Sequence, residues 1–139
     1  MYKVSLAIPI YNVSLFVERA LLSVLNQTYD NIEYLIVDDK GQDDSMDIVH
    51  RIIKDHPRGK DVRIIEHPYN IGLGATRNTA IDNAQGEYLF FMDSDDEIIP
   101  TCIEILVHKM QEHPVDFIAA SHMKKDLSGK TYPTYTYSP

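Results

Sequence analysis

The chain has 139 residues, with 21 acidic against 13 basic side chains and a formal charge of −8. That balance argues against nonspecific binding to nucleic acid or anionic lipid, both of which need clustered Lys and Arg. One cysteine, Cys102, excludes an intrachain disulfide, and no histidine pair shows the i, i+4 spacing of a zinc helix. The length fits one domain that buries about two thirds of its unfolded surface. No stretch reaches the roughly 18 apolar residues of a membrane span, and the first residues open a strand rather than a signal peptide. A cytoplasmic protein is therefore expected, attached if at all to the inner face of a membrane by other means.

Short β-branched runs alternate with longer helical patterns, which implies βαβ units around a mainly parallel sheet, the α/β class. Strands are expected at Val4 to Ile8, Ile32 to Val37, Val62 to Ile65, Tyr88 to Met92 and Phe117 to Ala120. Between the first two, Ser14 can cap a helix whose face carries Val17, Leu21 and Val24. Ser45 or an adjacent Asp can cap the next, carrying Val49, Ile52 and Ile53. A third helix is expected from near Ala75 to Gly86, and a fourth from Pro100, presenting Ile103, Leu106, Val107 and Met110 at helical spacing. His56-Pro57 and His113-Pro114 are stop signals, because proline cannot continue the hydrogen-bond ladder. From Lys124 onward the chain is rich in Lys, Thr, Tyr, Ser and Pro, with a turn signal at Ser128-Gly129, and reads as a loosely ordered tail.

Parallel strands gather the segments that follow them along one edge of the sheet, where open α/β sheets bind ligands. After the first strand comes Pro9-Ile10-Tyr11-Asn12, in which Pro9 lacks a donor and ends sheet pairing, and Tyr11 can stack on a flat ring. The alternative makes Tyr11 a packing residue and Asn12 a turn former. The second loop, Asp38-Asp39-Lys40-Gly41-Gln42-Asp43-Asp44-Ser45, offers a carboxylate pair that can accept from a base or ribose, or from loop amides. The third contains Gly72 and Gly74, which let backbone approach a ligand. On the helix that follows, Arg77, Ala80, Ile81 and Ala84 share one stripe expected to face inward. An inward Arg77 near the positive end of the helix dipole needs an anion, either a nearby Asp or a diphosphate gripped in bidentate fashion.

In the fourth loop the apolar run Tyr88-Leu89-Phe90-Phe91-Met92 ends in Asp93-Ser94-Asp95-Asp96-Glu97. The run reads as a strand buried on both faces. Crowded carboxylates at its end repel one another unless a cation or solvent relieves them, and hard Mg²⁺ or Mn²⁺ takes one or two such ligands with the rest from water and substrate phosphates. A solvated strand-to-helix turn is the alternative. The spacing also mimics part of a calcium loop, but Ile98 stands where that loop requires glycine and a strand precedes it.

Taken in order, these loops resemble glycosyltransferase family 2. The resemblance rests on Pro9-Ile10-Tyr11-Asn12, Gln27-Thr28-Tyr29, the strand ending in Asp38-Asp39, Asn70-Ile71-Gly72, Ala75-Thr76-Arg77-Asn78, Gly86-Glu87-Tyr88 and Asp93-Ser94-Asp95-Asp96. It implies the glycosyltransferase A fold, a Rossmann-like three-layer sandwich with a mainly parallel central sheet, here truncated. Residues 1–123 would be the nucleotide-sugar-binding part, and 124–139 a tail or the start of an acceptor-binding half. By the same resemblance Pro9 and Tyr11 would border the base, and Asp39 would accept from a uracil imide. Asn12, Asp38, Gly72 and Ser94 would complete the donor site, and Arg77 would lie near the diphosphate. Asp93 and Asp95 match the Asp-x-Asp motif, with Asp95 the direct ligand of Mn²⁺ or Mg²⁺. The implied reaction is an inverting transfer from a nucleotide-sugar, a uridine one above others, to a saccharide or lipid-linked acceptor. Lys40 stands where the family usually has glycine, and no catalytic base is matched in this chain. Three other readings stay open: a sugar nucleotidyltransferase, although the first loop is neither Gly-rich nor basic; a receiver domain, although the third strand ends in Glu66-His67 without an acceptor aspartate; and a catalytically silent interaction module.

Overall fold

A computed structural model describes residues 2–114 and the backbone of residues 123–125 and 131–133. The chain divides into two units, residues 1–103 and 104–139. In the first, four strands, β1 (Val4–Ile10), β2 (Ile32–Asp38), β3 (Val62–Glu66) and β4 (Tyr88–Phe91), pair in parallel in the order β3-β2-β1-β4. The register sets Ile8 beside Ile36 and Ala7 beside Phe91. Helices α1 (Val17–Leu25), α2 (Ser45–Asp55) and α3 (Leu73–Asn83) make the crossovers, with a short 3-10 turn at Gly59–Asp61 before β3.

Parallel crossovers are right-handed, so the direction in which the chain steps decides which face each helix covers. The steps from β1 to β2 to β3 run one way and place α1 and α2 side by side. The step from β3 back past β2 and β1 to β4 runs the other way, and α3 packs over β1 and β2. Alternation along the strands serves both faces. Ala7, Leu35 and Val37 meet Ala80 of α3, with Ala84 and Leu89 against them, while Leu6, Ile8, Tyr34 and Ile36 take the opposite pleat and are fully buried. Each such aliphatic side chain contributes roughly 1.5–3 kcal/mol. The reversal of direction lies between β1 and β4, whose carboxyl ends therefore form the topological switch point.

Several expectations need correction. The strand at 88–92 is not buried on both faces: among the described residues β4 pairs only with β1, its residues are half-buried, and Phe91 is 40% exposed. Runs of that kind mark β1 and β2, which are flanked on both sides. Ser14 caps nothing. Phe16 holds the cap position of α1 without a side-chain bond, and the first turn is already closed by Phe16 and Val17 amides on the Val13 carbonyl. The stripe of α3 that faces inward is Thr76 and Ala80; Arg77 and Ile81 lie outside it and are exposed. Small side chains let this helix sit close over the sheet, and its rotation follows them rather than Ile81. Both proline stops hold, α2 ending at Asp55 and α4 (Cys102–Glu112) at Glu112.

In the second unit, β5 (Met123–Lys125) pairs antiparallel with β6 (Thr131–Pro133), Lys124 opposite Tyr132, within the segment expected to be a loose tail. The strand expected at 117–120 and the turn at 128–129 lie outside the described residues.

A buried polar network joins the strands at the amino edge of the sheet. Ser5 Oγ donates to Glu33 Oε2 at 2.5 Å, the Gln85 amide donates to the same oxygen at 2.6 Å, and Arg63 reaches Glu33 Oε1 at 3.3 Å. The Gly86 amide donates to Ser5 Oγ at 2.8 Å. A side chain at Gly86 would stand 2.7 Å from the Lys3 carbonyl and the Ser5 amide, so only glycine lets β4 begin this close to β1. Burial would raise the Glu33 pKa, but the Ser5 and Gln85 donors and the Arg63 and Lys3 charges hold it below the ordinary carboxylate value.

Candidate functional site

Each of the four strands delivers a loop to the carboxyl edge. Sheet pairing runs past Pro9, where it was expected to stop, to Ile10 opposite Asp38; Pro9 is half-buried and Tyr11 is 46% exposed. Asn12 takes a left-handed backbone (φ 51°) and its Oδ1 accepts from the Gln42 amide at 2.8 Å. Gly41 lies so close that a Cβ there would be 2.5 Å from Asn12 Oδ1. Val13 donates to Ser45 Oγ at 2.9 Å, and Ser14 to Asp43 Oδ2 at 3.0 Å. The start of α2 thus anchors the first loop: Asp43 accepts from Ser45 and Ser14, and Asp44 holds the cap position without a side-chain bond.

In the second loop Asp38 is buried and accepts from the Lys40 amide at 2.9 Å. Lys40, like Asn12, has a left-handed backbone (φ 55°). This accounts for glycine as the usual residue at its position in the family the motifs resemble, because glycine adopts that conformation without steric cost. The Lys40 ammonium lies 3.1 Å from Glu66 Oε2. Asp39 is only 2% exposed and its amide donates to the Ile10 carbonyl, so it sits against the end of β1. Its Oδ1 accepts from His67 Nδ1 at 2.8 Å and the Ile71 amide at 3.0 Å, and its Oδ2 from the Gly72 amide at 3.1 Å. Burial would raise the Asp39 pKa, but His67 and these two amides outweigh it and lower the value.

Those bonds fix the third loop. Gly72 precedes α3 with φ 97°, a conformation costly for other residues, and nothing lies near where a Cβ of Gly72 or Gly74 would be. Arg77, one turn into α3, lines a shallow pocket with Ala7, Pro9, Val37, Phe91 and Asp93. Among the described residues its guanidinium has no hydrogen-bond or ion-pair partner. Of the two partners weighed for Arg77, a nearby Asp is not bonded to it among the described residues, although Asp93 lines the same pocket.

The fourth loop turns at Asp93, whose carbonyl accepts from the Asp96 amide at 3.1 Å. Ser94 is buried. Asp93, Asp95 and Asp96 are exposed, with one carboxylate oxygen of each within 4.8 Å of the others. Three hard oxygen donors at that spacing fit a Mg²⁺ or Mn²⁺ ion that completes its shell with water or phosphate. The segment after the loop is tied to the end of α1. Gln27 Nε2 donates to the Ile99 carbonyl at 2.8 Å, its Oε1 accepts from the Ile103 amide at 3.0 Å, and the Thr28 amide reaches the Pro100 carbonyl at 2.9 Å. Tyr29 donates to the Tyr2 carbonyl. Gln27 and Thr28 are therefore a bracket for the segment that follows the acidic loop, and Tyr29 ties the same turn to the start of the chain.

The structure gathers Pro9, Arg77 and Asp93 around one pocket, and Asp93 and Asp95 in one acidic group. Asp39 and Gly72 are joined directly. Sequence reasoning counted Asp96 in the acidic cluster but gave the metal only to Asp93 and Asp95, and it missed Thr76 and Phe91 in the pocket wall and His67 beside Asp39. The histidine directly after β3 was the available signal.

Comparison with known proteins converges on one family. The profile described as Glycosyl transferase family 2 matches residues 5–137. The chain is 37% identical over 130 residues to the UDP-Glc:alpha-D-GlcNAc-diphosphoundecaprenol beta-1,3-glucosyltransferase WfaP of Escherichia coli, covering 91% of this chain and 49% of that protein. S. aureus TarS 1-349 in complex with UDP superposes with a TM-score of 0.73 at 28% identity, over 80% of this chain and 32% of that one. The mannosyltransferase PcManGT of Pyrobaculum calidifontis, in complex with GDP-Man and Mn²⁺, gives a TM-score of 0.65 at 26% identity, over 69% and 28% of the two chains. The chain spans about half or less of the length of the curated relatives it matches.

Proposed function

The chain belongs to glycosyltransferase family 2, and on that premise we propose that it is the donor-binding part of an enzyme that transfers a sugar from a uridine nucleotide to a saccharide or lipid-linked acceptor. The carrying observation is the pocket at the switch point between β1 and β4, with Arg77, whose guanidinium has no partner among the described residues, on one wall and Asp93, the first acid of the group Asp93, Asp95 and Asp96, on the other. A diphosphate would supply an anion for the guanidinium and, with a divalent cation, a counter-charge for Asp93 and Asp95. Tyr11 and Pro9 border the base, Asp39 accepts from its imide, and Asn12 and Asp38 hold the second loop in place beneath it. Gly72 leaves room for the phosphates to approach α3, and buried Ser94 sets the spacing of Asp93 and Asp95.

Bound there, Mn²⁺ or Mg²⁺ would supply Lewis-acid neutralisation of the departing nucleoside diphosphate. Asp95 would hold it directly, with Asp93 beside it. Arg77 stabilises the same charge through bonds that strengthen as the sugar leaves. Inversion at the sugar carbon requires a carboxylate base to take the acceptor proton, a role assigned to no residue of this chain. UDP-containing neighbours and a Mn²⁺-containing one support the donor and the metal. No helix among the described residues is long and apolar enough to cross a membrane, in keeping with a cytoplasmic protein that meets a lipid-linked acceptor at the membrane's inner face.

Calorimetric titration with UDP tests this reading. Binding is expected with Mn²⁺ present and at least about tenfold weaker without it. UDP binding that ignores the metal, or an Asp95→Ala variant indistinguishable from wild type, would contradict the assignment.

A further inference from the structure

Resting on the reading of Asp39 as the acceptor for the base, we propose that His67 is a positioning residue that saturates one oxygen of Asp39 and thereby selects a base presenting a single N–H over one presenting two. A carboxylate offers about four acceptor positions, two on each oxygen. On Asp39, Oδ1 has both filled, by His67 Nδ1 and the Ile71 amide, whereas among the described residues Oδ2 receives only the Gly72 amide. One acceptor position remains. Uracil presents one imide N–H and meets it fully. Guanine presents two parallel donors, a ring N–H and the exocyclic amine, and pairs best with a carboxylate whose two oxygens are both open.

The histidine is itself held. His67 is 6% exposed, its Nε2 lies 2.7 Å from Thr79 Oγ1, and Thr79 is bonded to the Ala75 carbonyl at 3.0 Å on the first turns of α3. The chain Asp39–His67–Thr79 therefore links the ends of β2 and β3 to α3. The ring cannot swing off Oδ1 without breaking its bond to the helix. Since an ionised carboxylate only accepts, the bond between them requires Nδ1–H as donor. Neither His67 nor Thr79 touches the pocket that holds the diphosphate, so the effect is confined to the base.

The test measures UDP and GDP dissociation constants with Mn²⁺ for wild type, His67→Leu and His67→Asn, each checked for cooperative thermal unfolding. Wild type is expected to prefer UDP. His67→Leu opens Oδ1 and is expected to narrow the UDP-to-GDP ratio by about tenfold, the worth of one charge-assisted hydrogen bond. His67→Asn, which keeps an N–H donor at a similar place, is expected to restore most of the preference. An unchanged ratio in His67→Leu, including equal weakening of both nucleotides, would overturn the inference, because a purely structural histidine affects both alike. Failure of the wild-type protein to bind either nucleotide would instead overturn the reading of Asp39 and the inference with it.

Discussion

The two edges of the parallel sheet treat their charges in opposite ways. At the amino edge Glu33 is buried, yet it is bonded to Ser5, Gln85 and Arg63. At the carboxyl edge Arg77 and Asp93 line one pocket and Asp95 stands beside Asp93, all three side chains exposed and with no bond among the described residues. Charges satisfied from within hold a fold together, whereas charges of both signs left open at a switch point are arranged for something that arrives. Asp39 stands between the two cases, since three of its four acceptor positions serve the loops and one is left over.

Substitutions should separate the two edges cleanly, and the largest effect is expected at the buried one. Glu33→Ala leaves the Ser5 hydroxyl, the Gln85 amide and Arg63 without their shared acceptor, and should cost about 3 kcal/mol of stability. Urea unfolding measures this, and UDP affinity of the molecules that remain folded should be unchanged. Arg77→Ala is the converse. It should weaken UDP binding by about tenfold to a hundredfold, while its unfolding midpoint stays within about 0.5 kcal/mol of wild type. A variant at either edge that lost both properties together would break the comparison.

Acid sharpens it further. Glu33 and Asp39 both have folded pKa values below their ordinary values of 4.5 and 3.8. Their contribution is therefore complete above those values and is lost as pH falls through the lower folded ones. Urea midpoints measured from pH 6 downward should fall in that acid range, and Glu33→Gln should flatten the slope. The smallest effect is expected at Lys40. Lys40→Gly relieves a left-handed backbone worth about 1 kcal/mol but loses an exposed ion pair and gains unfolded-state entropy of similar size. Its net change in stability should lie within about 1 kcal/mol.

How much could be read from the sequence followed the same division. The first four strands were legible because β-branched runs between turn signals report burial directly, and the observed ends differ by at most two residues. The acidic loop and Arg77 were legible because charge at a strand end or helix start is conspicuous. The facing of Arg77 was not, since Ala80 and Ala84 fit either of two adjacent stripes and only the packing of Thr76 and Ala80 on β1 and β2 decides between them. Nor could Ser14 be distinguished from a cap, because its amide is taken by Asp43, 29 residues away. Gln27-Thr28-Tyr29 was recognisable as a motif but not as a bracket, since its partners at Ile99, Pro100 and Tyr2 are distant in sequence.

The central claim is that the open acids at the carboxyl edge hold a metal for a nucleoside diphosphate. Electron paramagnetic resonance of Mn²⁺ tests it most directly, because the sharp signal of the free ion is lost on binding. With UDP present, wild-type protein should deplete the free Mn²⁺ signal beyond what UDP alone does, and Asp95→Ala should not. Equal depletion by wild type and Asp95→Ala, or none by either, would contradict the account.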